Sequence, residues 1–230
     1  MRNDLITLLS GVVAATGCAL GTLGCDARRE PSRTARAAPC PDGAQPLFNG
    51  VDLNGWGGDV AGYEAKDGVL SCLPSCSGDL VTAEQYGDFT LSFEFRLQPG
   101  SNNGIGIRAP LSANAAYDGM EIQVLDDTLP RPGLKPFQRH GSIYGVVPAR
   151  DRCLAAPGQW NHEVIEARGD HVVVTVNGLT VVDADIRLAS ASGTIDGHGH
   201  PGLMRKAGHI HLCGHGDPVQ FRNMCIKVTR

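Results

Sequence analysis

The sequence lacks an excess of positive charge and lacks several common catalytic motifs. Its 230 residues carry 20 Lys and Arg against 24 Asp and Glu, a net charge of −4. Proteins that bind nucleic acid usually present a basic surface, so we expect no nucleic-acid partner. A serine-hydrolase elbow, a P-loop, a dinucleotide-binding fingerprint and a helical His-Glu-x-x-His motif are also missing. The corresponding enzyme classes are therefore not predicted.

Long amphipathic helical segments and internal repeats are absent as well, whereas glycine is abundant. Gly accounts for 30 residues, and 42% of the chain is hydrophobic, which is enough to form a core. Glycine at this level suits tight turns and bulges. Apolar side chains alternate with polar ones through one long run, the pattern of a half-buried strand: Phe89, Leu91, Phe93, Phe95 and Leu97.

Further alternation and turn signals extend this pattern along the chain. In the stretch 172–182, Asn177 and Gly178 separate two valine-rich runs and predict a hairpin. We therefore predict an all-β fold, a β-sandwich of two packed antiparallel sheets. The Gly- and Pro-containing stretches 126–142 and 187–208 are longer than ordinary connections, and loops of this length usually cover a site or are disordered.

The first 25 residues resemble a lipoprotein-type signal peptide. An apolar run ends in a small residue followed by Cys25, the position that would be acylated after cleavage. Residues 26–45 contain four Arg and three Pro and are predicted to be a flexible tether to a domain at 46–230. We therefore expect an exported protein of the cell envelope or periplasm that is attached to the membrane through a lipid anchor.

Other interpretations of this segment stay open. Cys18 is a competing acylation site, and ordinary secretion or an uncleaved membrane anchor are further alternatives. Acylation at Cys25 removes Cys18 and leaves six of the 8 cysteines for disulfides, whereas acylation at Cys18 leaves seven. The even number suits a disulfide framework in an oxidising compartment, although its connectivity is open.

One face of two predicted strands is a candidate binding surface. Gly104 and Gly106 leave their face of the strand bare, and Arg108 would stand at its edge as a hydrogen-bond donor. Glu121 and Gln123 share a face of the other strand, where a carboxylate could transfer a proton. The alternatives are a bend relieved by glycine, with Arg108 in a surface ion pair, and a solvated outer face.

Later residues add further candidates. Asp126 follows the second strand directly, and Tyr144 could pack against a sugar ring, although a tyrosine in a sandwich is more often structural. His209 and His211 would point to one side of a strand and are a candidate pair for a divalent metal cation. Cys213 falls on the same face, where it could be a third ligand or half of a disulfide.

Eight short blocks, in order, resemble the 3-keto-disaccharide hydrolase domain family. The first reads LFNGVDLNGW, and the last, HGDPVQFRN, begins at His215. Each block is weak alone, but eight in one order are specific. This chain has Cys213 and Gly214 where the family usually carries Gln-Asp. The blocks lie at 47–56, 86–89, 103–108, 119–126, 141–145, 158–161, 177–178 and 215–223.

The resemblance implies a fold and a reaction. The fold is a concanavalin A-like β-sandwich of the lectin and glucanase type, a jelly roll. The reaction starts from a glycoside that carries a ketone at carbon 3, which acidifies the hydrogen on carbon 2. A base removes that hydrogen, an enolate forms, the group on carbon 1 leaves by elimination, and water then adds. A divalent cation could polarise the ketone.

The resemblance also implies roles for particular residues. Glu121 or His215 would transfer the proton, while Arg108, Gln123 and Asp126 would hold the sugar or the enolate oxygen. One alternative is a carbohydrate-binding lipoprotein without catalytic activity, and another is an endo-acting glycosidase that uses Glu121 and Asp126 as paired carboxylates. The oligomeric state is open.

Overall fold

The computed structural model describes residues 39–112 and 114–229. The predicted signal peptide, Cys25 and most of the tether lie outside these residues and stay predictions. No helix within the described residues has the length and apolar character needed to cross a bilayer.

The described residues are almost entirely strands and loops. The short helices are α1 (Ala115–Asp118) and α2 (Ile186–Ala189), with 3-10 turns at Val60–Gly62 and Pro136–Gln138. The strands in chain order are β1 (Gln45–Pro46), β2 (Trp56–Gly58), β3 (Tyr63–Lys66), β4 (Val69–Cys72), β5 (Leu80–Thr82), β6 (Phe89–Leu97), β7 (Asn102–Ala109), β8 (Met120–Leu125), β9 (Trp160–Arg168), β10 (His171–Val176), β11 (Leu179–Asp185), β12 (His209–Leu212) and β13 (Val219–Val228).

These strands form two antiparallel sheets, which confirms the predicted all-β sandwich. Within the described residues, one sheet has eight strands in the order β11-β10-β9-β6-β13-β4-β3, with β1 paired to β13. The other has five strands in the order β2-β5-β12-β7-β8. Neighbouring strands are mostly distant in sequence, so the sheets close only when remote parts of the chain pair.

Alternation of apolar and polar residues explains how the strands pack. In β6 the buried and half-exposed positions alternate without interruption from Phe89 to Leu97, as the sequence predicts. The predicted hairpin joins β10 to β11, and both Asn177 and Gly178 adopt positive φ angles, which a tight two-residue turn requires. Aromatic and aliphatic side chains from both sheets form one core.

A disulfide joins the start of the described chain to the last strand. Cys40 is bonded to Cys225 across 185 residues of sequence. The chain is therefore attached to the sandwich at residue 40, inside the stretch predicted as a tether. Four other described cysteines are free thiols: Cys72, Cys76, Cys153 and Cys213.

Candidate active site

Two adjoining cavities lie over the face of the five-stranded sheet that points away from the core. One has a volume of about 370 Å³ and is lined by Tyr117, Gln123 and Tyr144 among others, and we call it the tyrosine cavity. The other has a volume of about 410 Å³ and includes Asp59 and Asp79, and we call it the aspartate cavity. Three residues line both cavities and mark their junction: Asn114, Glu121 and His215.

The sequence places Glu121 at this junction through strand alternation. Its neighbours Met120 and Ile122 point into the core, so Glu121 points to the opposite face. Gly104 on the adjacent strand β7 makes room for the carboxyl, because a Cβ atom there would lie 2.0 Å from Glu121 Oε1. Any larger residue at position 104 would therefore displace the carboxyl.

Glu121 is a buried carboxyl without a compensating partner. Only 7% of the residue is exposed, and its carboxyl has no hydrogen-bond partner among the described residues. Burial, followed by the nearby negative charge of Asp79, raises its pKa to about 8. Glu121 is therefore protonated at neutral pH and can act as a proton donor.

Asp79 is held in place by a buried histidine. His211 Nδ1 lies 3.0 Å from Asp79 Oδ2, and His211 Nε2 lies 3.0 Å from the carbonyl oxygen of Pro110. Both partners accept hydrogen bonds, so the His211 ring is held between the Pro110 carbonyl oxygen and the Asp79 carboxylate. The imidazole thus fixes the Asp79 carboxylate in the aspartate cavity, where its charge acts on Glu121.

His215 and Asn114 complete the junction. His215 is exposed, and its ring nitrogens have no hydrogen-bond partner among the described residues. Asn114 is the N-cap of α1, and its Oδ1 accepts a hydrogen bond from Ala116 N at 3.1 Å. This bond leaves the Asn114 Nδ2 group as a hydrogen-bond donor at the junction of the two cavities.

Gln123 and Tyr144, which the sequence predicts to contact a ligand, both line the tyrosine cavity. Gln123 Nε2 donates to Asn102 Oδ1 at 2.7 Å and to Asn103 O at 3.0 Å, so Oε1 is the group left to accept from a ligand. Tyr144 contacts the edge of Tyr117, with ring centroids 6.4 Å apart. The two tyrosines form an aromatic wall.

Arg108 lies outside both cavities, in contrast to the sequence-based expectation. A β-bulge between β7 and β12 adds one residue and breaks the alternation, and Arg108 adopts a φ of 53°. Its buried guanidinium donates to the carbonyl oxygens of Gly87 and Gly169 and to the Asp88 carboxylate. Arg108 therefore joins the segment before β6 to the turn between β9 and β10.

Asp126 also lies outside both cavities. Its Oδ2 accepts a hydrogen bond from Gly100 N at 2.7 Å, and its Oδ1 accepts two from Thr128. Burial raises the pKa of Asp126, but these hydrogen bonds outweigh it and hold the net pKa below its usual range. Asp126 is therefore an ionised residue that links the loops at Gly100 and Thr128, and it does not line either cavity with Glu121.

The structure places His209 and His211 in different hydrogen-bond networks. His209 Nδ1 lies 2.7 Å from Thr82 O, while both nitrogens of His211 contact Asp79 and Pro110. Within residues 39–112 and 114–229, no three His, Cys, Asp or Glu side chains are grouped so as to hold a metal ion. The two histidines therefore do not form a metal ligand set with other described residues, and the divalent cation stays a prediction.

Sequence reasoning missed several residues that line the cavities: Asp59, Asp79, Asn114 and Tyr117. They lie on short connections outside the alternating strands, and periodicity gives no signal there. The one local signal is Asn114, since asparagine before a short helix is a preferred N-cap. Cys213 lines the aspartate cavity, and burial raises the pKa of its thiol well above the usual range, which makes it a poor nucleophile.

Comparisons with known proteins agree with this fold. The chain is 26% identical over 235 residues to a 3-keto-disaccharide hydrolase of Bacteroides thetaiotaomicron, covering 81% of this chain and 79% of that protein. Two solved structures of proteins assigned as glycosyl hydrolases, both from Parabacteroides distasonis ATCC 8503, also match. One is 28% identical with a TM-score of 0.71 and covers 81% of this chain and 99% of its own. The other is 25% identical with a TM-score of 0.64 and covers 94% and 100%.

A family model matches residues 43–227, which is most of the chain. The match spans both sheets and every residue of the two cavities named above. It confirms the family resemblance and the concanavalin A-like β-sandwich that this resemblance implies. The chain therefore belongs to the family of 3-keto-alpha-glucoside-1,2-lyase-like domains.

Proposed function

We propose that this protein cleaves glycosides that carry a ketone at carbon 3 of the sugar, by elimination followed by addition of water. Family membership and the hydrolase from Bacteroides thetaiotaomicron support this substrate class. The observation that carries the proposal is Glu121, a buried carboxyl without a hydrogen-bond partner among the described residues, which lies between two cavities that His215 also lines. A group that is protonated at neutral pH next to an exposed imidazole suits paired proton transfers.

In the proposed reaction, His215 acts as the base and Glu121 acts as the acid. The His215 imidazole takes the proton from carbon 2, and the electrons of that bond move toward the ketone to give an enolate. Asn114 Nδ2 donates a hydrogen bond to the enolate oxygen. The bond between carbon 1 and the leaving oxygen then breaks, and Glu121 gives its proton to that oxygen. The Glu121 carboxylate then takes a proton from the water that adds to carbon 1 of the resulting enone, and His215 returns a proton to carbon 2. Both side chains regain their starting states, and the net reaction is hydrolysis.

The two cavities suit the two parts of such a substrate. The tyrosine cavity offers an aromatic wall and the Gln123 carbonyl oxygen to the oxidised sugar. The aspartate cavity offers the carboxylates of Asp59 and Asp79 to the leaving group. Glu121 and His215 stand between them, next to the bond that breaks.

The proposed role of Glu121 is tested by changing the leaving group. Glu121→Gln keeps the shape of the side chain but removes the proton that it donates. We expect kcat to fall by roughly 10²- to 10⁴-fold for a 3-keto-glycoside with an alkyl or sugar leaving group, which needs the proton. With a 4-nitrophenyl leaving group, which departs as a stable anion, we expect a much smaller loss.

His215→Ala should lower kcat to a similar extent for both leaving groups, because removal of the carbon 2 proton precedes departure. Glu64→Gln, a change at an exposed carboxyl on β3, is the matched control and should leave both rates unchanged. Equal losses for both substrates in Glu121→Gln would contradict the role as proton donor. Saturable sugar binding by the folded wild-type protein, without product, would instead support a carbohydrate-binding module.

A further inference from the structure

The long segment between α2 and β12 is attached to the backbone on both sides of the aromatic wall. Ile195 N donates to Gly145 O at 2.9 Å, directly after Tyr144. Gly202 N donates to Tyr117 O, also at 2.9 Å. The segment 194–203 therefore bridges the two stretches of chain that carry the tyrosines of the cavity.

A buried histidine and carboxylate form the centre of this bridge. His200 Nδ1 lies 2.9 Å from Ala116 O, and His200 Nε2 lies 3.0 Å from Asp196 Oδ2. Their side chains are only 1% and 3% exposed. Burial raises the pKa of Asp196, but hydrogen bonds from His198 N and His200 outweigh it, and the net pKa is lowered. Asp196 is therefore an acceptor, and both nitrogens of His200 face acceptors.

The pair fits closely against the hairpin that carries Tyr144. Gly145 has a φ of 72°, and a Cβ atom there would lie 2.3 Å from Asp196 Oδ2 and 2.8 Å from His200 Nε2. On its other side, the imidazole of His200 packs on Tyr117, with ring centroids 4.8 Å apart. Tyr117 in turn meets Tyr144 edge to face at 88°. His200 thus contacts Tyr117 directly and is linked to Tyr144 through Tyr117.

We propose that His200, oriented by Asp196, is a positioning residue that fixes Tyr117 and Tyr144 against each other and so sets the affinity of the tyrosine cavity for its sugar. Neither His200 nor Asp196 lines the cavity, so they act through the tyrosines without touching the ligand. The kinetic part of this inference rests on the proposed function, whereas the structural part is independent of it.

The kinetic test uses three variants of the full-length protein. His200→Ala should raise KM for a 3-keto-glucoside about tenfold and change kcat by less than about twofold, because uniform binding is lost while Glu121 and His215 are intact. Asp196→Asn, which leaves the imidazole in place, should raise KM in the same direction by a smaller factor. His171→Ala is the matched control, because His171 also pairs with an aspartate but lies exposed on β10, and it should leave KM unchanged.

The structural test needs no turnover. The chain has only 4 tyrosines, so ¹³C-labelled tyrosine gives a simple aromatic NMR spectrum that Tyr→Phe variants can assign. In His200→Ala and in Asp196→Asn, the Tyr117 and Tyr144 signals should shift or broaden, while those of the remote Tyr63 and Tyr86 stay in place. The control His171→Ala should leave both the Tyr117 and the Tyr144 signals unchanged.

The outcomes separate this inference from the proposed function. Unchanged Tyr117 and Tyr144 signals in both variants would overturn the inference, whatever the kinetics. A fall in kcat with unchanged KM would overturn it as well. Absence of turnover in the wild-type protein would contradict the proposed function alone, and shifted tyrosine signals would still support the positioning role of His200.

Discussion

At the scale of single residues, the environment of Glu121 sets its chemistry. Strand alternation predicts that this carboxylate shares a surface with Gln123, and the structure confirms that both line a cavity. Alternation says nothing about burial depth or about Asp79, which comes from a distant strand connection. The pKa of about 8 depends on both, so the position of the acid could be predicted from the sequence and its strength could not.

The raised pKa of Glu121 has a consequence for stability. A carboxyl with a higher pKa in the folded than in the unfolded state binds more protons when folded, so stability falls as pH rises. The window runs from the ordinary value near 4.5 to about 8. Glu121→Gln removes this loss, and we expect the variant to be more stable than wild type at pH 8 by about 2–4 kcal/mol, with little difference at pH 4.

Urea denaturation of both proteins at a series of pH values measures this difference. Glu64→Gln, at an exposed carboxyl, is the control and should follow the wild-type curve. A constant difference between Glu121→Gln and wild type from pH 4 to pH 8 would mean that the Glu121 carboxyl titrates normally.

At the scale of elements, strand β7 shows where periodicity fails. Ile105 and Ile107 point into the core, as alternation predicts, and Gly104 leaves room on the other face. The bulge that follows turns Arg108 away from the cavity. Bulges arise from pairing with a partner strand, in this case β12, which is about a hundred residues distant in sequence. The alternation of residues within β7 therefore could not predict the bulge at Arg108.

Arg108 should contribute to stability and not to substrate binding. Arg108→Gln removes the hydrogen bonds that the buried guanidinium donates to Gly87, Gly169 and Asp88. We expect a loss of about 3 kcal/mol in the free energy of unfolding, measured by urea denaturation. KM below the unfolding transition should stay within about twofold of wild type, because the binding contacts are intact.

Arg168→Gln is the matched control, since Arg168 pairs with Glu166 at the surface. Its effect on stability should be below about 1 kcal/mol. A strong rise in KM for Arg108→Gln, with unchanged stability, would return Arg108 to the substrate-binding role expected from the sequence.

At the scale of the whole molecule, the sandwich is closed by pairings between remote segments and by one disulfide in its described part. Cysteine parity predicts an even number of cysteines in the mature chain but not which of them pair. Cys72 lies in β4, where burial and the neighbouring Cys76 raise the pKa of its thiol to about 12, so it stays a thiol at neutral pH. The disulfide instead joins Cys40 to Cys225, near the two ends of the described chain.

This disulfide should stabilise the fold by restricting the unfolded chain. Replacing both Cys40 and Cys225 by Ala should lower the free energy of unfolding by about 2–4 kcal/mol. Cys153→Ala, at a free and half-buried thiol, is the control with a smaller expected effect. Thermal melts with and without reductant give the same comparison in the wild-type protein, and an unchanged Tm under reduction would contradict the stabilising role.

The central claim is that the carbon 2 proton is removed before the glycosidic bond breaks. The most direct test is the reaction of the full-length protein with a 3-keto-glucoside in D₂O, with early products analysed by mass spectrometry. We predict release of the aglycone and a 3-keto-sugar that carries one carbon-bound deuterium at carbon 2, above the level that substrate and product acquire without enzyme, together with transient enone. Release of the aglycone without deuterium at carbon 2 would contradict the claim and indicate direct displacement at carbon 1.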